Sequence, residues 1–216
     1  RNIYFKLTSS ISPFPIPELT SSTFFNVYDD NHWNFSVRLK PSNYPLTDIV
    51  TGSEGYTYDV IFKGINTFIG TIQDSFTLTG SVSKEVGRNI LRSAKRLYAG
   101  ARRTNVTGNV LQYSDVLFSN VKYWTKYLDD SSIERHLYDF ENRGVSGSYQ
   151  PTSPRDANIK NVNILNLNAL ALDWNFENVT SSNTDGTFVV TDMSSGSALI
   201  RDNYGWIGEV AGYQHT

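Results

Sequence analysis

The chain has 216 residues, a formal net charge of −2 and no cysteine. This near-neutral balance supplies no basic footprint for nucleic acid or for an anionic membrane surface. The missing cysteines exclude disulfide frameworks, thiol chemistry and cysteine-held zinc or iron–sulfur sites. No apolar run approaches the ~20 residues of a membrane-spanning helix, and the opening residues do not read as a signal peptide. Thirteen Tyr, twelve Phe and four Trp against one Met favour pleated surfaces with aromatic cross-strand pairs. The length suffices for one large β-sandwich, alone or with a small appendage, without metals or cross-links. The chain starts at Arg1 in strand-like sequence and is expected to be a piece of something longer.

Asn2 to Leu7 is a first short strand candidate, followed by Ser12-Pro13-Phe14-Pro15-Ile16-Pro17. Prolines cannot donate regularly to a ladder, so this segment is expected to be an extended connector. Trp33, Phe35, Val37 and Leu39 alternate with Asn34, Ser36, Arg38 and Lys40, which predicts a strand with one buried and one wet face. Tyr56, Tyr58, Val60 and Phe62 repeat that phase, with Thr57, Asp59 and Lys63 outward. Phe76, Leu78 and Val82 suggest a third such strand, in which Gly80 marks a candidate bulge. Val86 to Ala94 fits either one polar helical turn or a loop over the sheet.

Leu97-Tyr98-Ala99-Gly100-Ala101 is a compact apolar run, Thr107-Gly108-Asn109 can reverse the chain, and Ser114 to Trp124 forms a second extended run. Asp130-Ser131 sits where an N-cap is wanted, and Ser131-x-x-Glu134 has capping-box spacing. The helix it opens, near Ser131 to Phe140, is expected to end at Asn142-Arg143-Gly144 with a left-handed glycine. Val145 to Lys160 reads as a linker, Val162 to Leu167 as an apolar run, and Thr187 to Asp192 and Ala198 to Arg201 as two more short strands.

The segment from Lys95 to Gly144 resembles the closing strands of a laminin-G-like (concanavalin A-like) jelly roll. Tyr98-Ala99-Gly100-Ala101-Arg102-Arg103 matches its "YxGAR" strand, Lys122-Tyr123-Trp124 its "RYW" strand end, and Leu128 through His136 its following helix. More narrowly, it is similar to the variant found in large structural proteins of tailed phages. The LDWNFENVTSSNTDGTFVVTDMSSGSA run, with Asp173-Trp174 and Ser194-Ser195-Gly196, also resembles sequence that follows such domains there; Trp174 and Phe176 would open a new small β unit. The resemblance implies an all-β antiparallel sandwich jelly roll with one short helix and a β-rich C-terminal extension. Its divisions would be an N-terminal strand and connector over 1–19, the jelly roll over 20–145, and a linker with small β extension over 146–216.

The function implied is non-catalytic: a virion module on the particle surface (tail, fibre or capsid exterior) that binds other virion subunits or host-surface glycan, in a homo-oligomer or larger assembly. No nucleic acid, membrane or cofactor is expected. Candidate ligand residues lie on the loops and strand ends of the matching segment: Arg102, Arg103, Asn109, Tyr113 and Asp115. An aromatic plane can cover the apolar face of a sugar while guanidinium, amide and carboxylate groups satisfy its hydroxyls. The alternatives are a glycan-cleaving enzyme on the same fold and a bacterial surface adhesin. The enzyme would need paired carboxylates on one strand; no E-x-D-x-E pattern occurs, and Asp129-Asp130 read as cap residues. His32, His136 and His215 lack ligand spacing for zinc. Calcium stays open, because Asp29-Asp30-Asn31 and Asn109 with Asp115 could offer oxygens, although the reading favoured for them is turn formation.

Overall fold

The computed structural model describes residues 2–9, 15–25, 27, 32–43, 56–104, 108–114, 116–139, 169–182 and 188–194. Among the described residues there are ten strands, paired antiparallel throughout, and two helices, so the chain is all-β in class. It divides into two compact units, Arg1–Ala94 and Lys95–Thr216.

The first unit is built on the alternating strands. β3 (His32–Pro41) pairs with β4 (Tyr58–Phe68) in unbroken register, and β4 pairs in turn with β5 (Thr71–Val82). Ile69 and Gly70 join β4 to β5, with φ of 48° and 70°; a two-residue hairpin whose twist matches its strands needs positive φ at both positions. β1 (Lys6–Ser9) and β2 (Ile16–Thr20) form a separate ribbon, with Leu7 opposite Leu19. The expected connector is therefore partly strand: Ile16 and Pro17 belong to β2. Pro17 is tolerated because the register skips there, between the Leu7–Leu19 and Ser9–Ile16 pairs. The ribbon lies over β5, where a Cβ on Gly80 would stand 3.1 to 3.2 Å from Pro17 and Leu19. Gly80 pairs in regular register with Val60, and the irregularity of this pair of strands falls at Asn66/Thr67. Close approach of the ribbon, and not a bulge, accounts for that glycine.

Leu19, Phe24, Val27, Tyr58, Val60, Phe62, Phe76 and Val82 form the buried cluster between ribbon and sheet. Phe5, half-buried, packs against it, with ring centroids 4.6 Å from Phe35, 4.7 Å from Trp33, 5.6 Å from Phe76 and 5.9 Å from Phe24. Such contacts add packing energy beyond the area they bury. Phe5 is held in place through its backbone: its N–H donates to Ser21 Oγ at 2.9 Å, and Ser21 N–H donates to Phe5 O at 2.9 Å. The expected split into a buried and a wet face does not hold on this sheet: Phe35 and Val37, expected inside, are 46% and 58% exposed, whereas Arg38 and Lys63, expected outside, are buried. Residues 83–94 resolve to helix α1 (Lys84–Arg92), capped by Ser83, whose Oγ accepts the Val86 N–H at 3.3 Å. Gly87 faces the Tyr58 ring so closely that a Cβ would collide with it.

In the second unit, β6 (Ala101–Arg103) and β7 (Val110–Tyr113) form a two-stranded ribbon. β8 (Val121–Trp124), β9 (Leu170–Ser182) and β10 (Phe188–Asp192) form a three-stranded sheet with β9 central. The run expected to be extended from Ser114 to Trp124 is strand only over its last four residues, and the run from Leu97 enters a strand only at Ala101. Helix α2 (Asp130–Tyr138) makes a second helix where one was expected, and its cap is Asp129, not Ser131. Asp129 Oδ1 accepts the Ser132 N–H at 2.8 Å and the Ser131 hydroxyl at 3.0 Å, so the nearer Ser131-x-x-Glu134 box is not used. The expected stop at Asn142-Arg143-Gly144, the 145–160 linker, Val162 to Leu167 and Ala198 to Arg201 lie outside the described residues. No helix among the described residues is long and apolar enough to cross a membrane.

Candidate functional site

Four of the five candidate ligand residues come together on the β6–β7 ribbon. Ala101 stands opposite Tyr113, Arg102 opposite Gln112 and Arg103 opposite Val110, with a register shift between Arg102 and Arg103. Thr104 N–H donates to Asn109 O at 3.1 Å, so Asn109 sits at the neck of the ribbon's turn. At the other end, Gly100 carries positive φ (73°), and its carbonyl accepts both the backbone N–H and the hydroxyl of Ser114, at 2.6 and 2.9 Å. Arg102 and Asn109 are exposed, Arg103 is half-buried, and Tyr113 is 86% exposed. Asp115 lies outside the described residues.

Period-two alternation splits this set. Tyr113 shares its face with Ala101, whereas Arg102 shares the other with Gln112. The ring and the Arg102 guanidinium therefore do not clamp one ligand from one face. What accompanies Tyr113 is apolar: Val110, Leu111, Val116 and Phe118 are exposed, and Leu117 is fully so. The sequence placed Val116, Leu117 and Phe118 in the extended run from Ser114 to Trp124. Apolar character alone does not tell a covered strand from an uncovered one.

A second feature was not anticipated. Lys95, Leu97, Tyr123, Ala171, Leu172 and Trp174 line a cleft of about 270 Å³ in this unit. It is assembled by the β8–β9 register, which sets Val121 opposite Trp174 and Tyr123 opposite Leu172 on one sheet face. Burial pushes the Tyr123 phenol above its ordinary value of 10.0. The cleft offers two rings, aliphatic walls and one ammonium group. No local sequence signal joins Tyr123 to Trp174, because the pairing is long-range.

On the other face of the same strands, Lys122 and Asp173 stand opposite each other, with Nζ and Oδ1 3.9 Å apart and side chains only 8% and 3% exposed. Trp124, two residues along, stacks on His136 of α2 with ring centroids 6.0 Å apart. From β10, Asp192 Oδ1 accepts the Asp173 N–H at 2.9 Å and the Ser194 N–H at 2.9 Å, and Oδ2 accepts the Ser194 hydroxyl at 3.1 Å. Among the described residues no cluster of His, Asp or Glu has the makings of a metal site; Asp29, Asp30, Asn31 and Asp115, the oxygens considered for calcium, lie outside them. No protein-family model, curated protein or solved structure matches this chain.

Proposed function

We propose that this chain is a non-catalytic structural module of a tailed-phage virion, a laminin-G-like β jelly roll with a β extension, and that it binds neighbouring copies of itself through the β6–β7 ribbon. The observation that carries this reading is the exposed set Val110, Leu111, Tyr113, Val116, Leu117 and Phe118 along one short stretch. Exposed apolar side chains this dense, with Leu111 and Tyr113 on one ribbon face and Val110 on the other, fit a surface that another protein covers. Tyrosine and arginine, both present on the ribbon, are enriched in such contacts. β7 pairs only with β6 among the described residues, and Val-Leu-Gln-Tyr lacks the lysine, proline or carboxylate that usually guards an edge. A second copy adding β7 to β7 would leave the Arg102 and Arg103 strands on the outer rims, away from one another. The jelly-roll assignment draws on the sequence resemblance at Tyr98–Arg103 and Lys122–Trp124, together with the antiparallel sheets.

Light scattering of the full chain across a concentration series tests this. Association is expected to be concentration-dependent and to weaken at least tenfold in L117D. A monomer at every concentration, or association indifferent to L117D, would refute it.

Host-surface glycan is the second reading, and the cleft favours it. Trp174 and Tyr123 could cover a pyranose face, with Lys95 beside an acidic substituent. Binding on a glycan array that disappears in W174A would give this role first place.

A further inference from the structure

The β4–β5 hairpin ends in a tip that disfavours the folded chain in two ways. Ile69 is at φ 48°, where a β-branched side chain is strained and asparagine or glycine is the usual choice. The same side chain is 86% exposed, and Phe68 and Ile72 beside it are 46% and 43% exposed. The strands stay paired down to Phe68 and Thr71, and Asn66 Nδ2 donates to Asp74 Oδ2 at 3.4 Å below the tip, so the apolar end is held out on a rigid stem. A Cβ on Gly70 would meet nothing within 4 Å. A residue that is strained, apolar and exposed at once points to a use outside the fold.

Three features select the occupant. Phe68 leaves the face that carries Tyr58, Val60 and Phe62, whereas Ile72 stands opposite Thr67 and leaves the other face, with Ile69 at the end between them. A protein surface could cover one of those faces; a fluid surface surrounds both faces and the end. From Gly64 to Gln73, between Lys63 and Asp74, the chain carries no charge, so no ionised group at the tip resists entry into an apolar medium. Three exposed side chains also fall far short of the roughly 20–30 residues that each side of a stable protein–protein interface uses. We propose that the β4–β5 tip inserts shallowly into a lipid surface, with Phe68, Ile69 and Ile72 below the headgroups. This contact goes beyond the proposed function and does not depend on it. Removal of the three side chains from water drives it. Insertion stays shallow because the backbone groups of the turn need partners, which headgroups and their water supply. The near-neutral charge of the chain offers nothing to an anionic membrane, but it is no obstacle to a contact that uses no charge.

Flotation of the full chain with phosphatidylcholine vesicles at millimolar lipid tests this, at protein concentrations below those at which light scattering detects association. The wild-type chain is expected to float with the vesicles, and added salt should not release it, since no ion pair is involved. Ile69→Asn is expected to fold at least as well, because asparagine accepts positive φ, and to bind about tenfold less tightly. L117D, which alters the separate exposed region at β6–β7, should bind as the wild type does. Absence of wild-type flotation, or flotation that Ile69→Asn leaves unchanged, would overturn the insertion. Flotation that needs anionic lipid and disappears in salt would overturn it too, and loss in L117D alone would give the contact to the β6–β7 ribbon instead.

Discussion

The β3–β4–β5 sheet and the β6–β7 ribbon use similar residues, rings and β-branched side chains beside arginine, and only the sheet gains a buried cluster, at Tyr58, Val60, Phe62, Phe76 and Val82, while Phe35 and Val37 stay exposed. In the first unit, β3 and β4 hold one unbroken register over ten residue pairs, long enough for the β1–β2 ribbon to lie across the sheet at β5. In the second, β6 and β7 run three and four residues and lose register after one step. Among the described residues, no second layer buries the apolar side chains of this ribbon. Length of unbroken register, more than composition, separates a core from an exposed surface here.

The sharpest way to break that comparison is to remove a ring from each region. Phe76 is buried and touches the rings of Phe5, Phe24, Trp33, Phe35 and Phe62. Phe76→Ala should cost about 3–5 kcal/mol, the usual loss for a large-to-small core change. The midpoint of chemical denaturation for the first unit measures it. A loss below about 1 kcal/mol would mean that ribbon and sheet do not share a dry interior.

The turn at Ile69 offers a smaller effect of opposite sign. A β-branched residue at φ 48° is strained, and its side chain is exposed, so nothing is gained in return. Ile69→Asn should stabilise the β4–β5 hairpin by about 1 kcal/mol, since asparagine tolerates the left-handed region. An unchanged or lower midpoint would show that the turn is not of this type.

The same contrast governs what could be read in advance. Trp33 to Leu39 and Tyr58 to Phe62 were legible as strands because one phase holds over several repeats, but the phase misplaced Phe35 and Val37, which are exposed because the second layer covers only part of the sheet. Ser114 to Trp124 misled because Val116, Leu117, Phe118, Val121 and Tyr123 fill both phases, and a mixed pattern does not locate a strand. The helix after it was foreseen but its cap was displaced, since Asp129, Asp130, Ser131 and Ser132 can each cap and tertiary packing chooses among them. Gly80 looked like a bulge because a bulge and a close backbone approach leave the same trace in sequence. The residues Arg102, Arg103, Asn109 and Tyr113 lie on one ribbon but on both of its faces, whereas the cleft and the Lys122–Asp173 pair depend on β8 finding β9, which no local pattern encodes.

Tyr123 sharpens the account of the second unit through pH. Burial raises its phenol above the ordinary 10.0, so the folded chain holds this proton when the unfolded chain releases it. The stabilisation is present in full below pH 10.0 and is lost as pH rises through the raised value. Denaturation midpoints followed from neutral to strongly alkaline pH should fall more steeply for the wild-type chain than for Tyr123→Phe. Parallel curves would place the phenol in solvent in the folded state.

The smallest stability effect belongs to Leu117, and it bears most directly on the comparison. Its side chain is fully exposed, so Leu117→Ser removes no packing, and the denaturation midpoint should move by less than about 0.5 kcal/mol. Phe76→Ala and Leu117→Ser both take apolar area from the molecule. They differ in whether that area was covered by the same chain. If Leu117 is instead covered by a second copy, the midpoint of the wild-type chain will rise with protein concentration, because a partner that binds only the folded state stabilises it by mass action. The midpoint of Leu117→Ser should not rise. Measured at a single low concentration the two chains would look alike; measured at high concentration they separate, and that separation is the signature of a surface meant to be covered from outside.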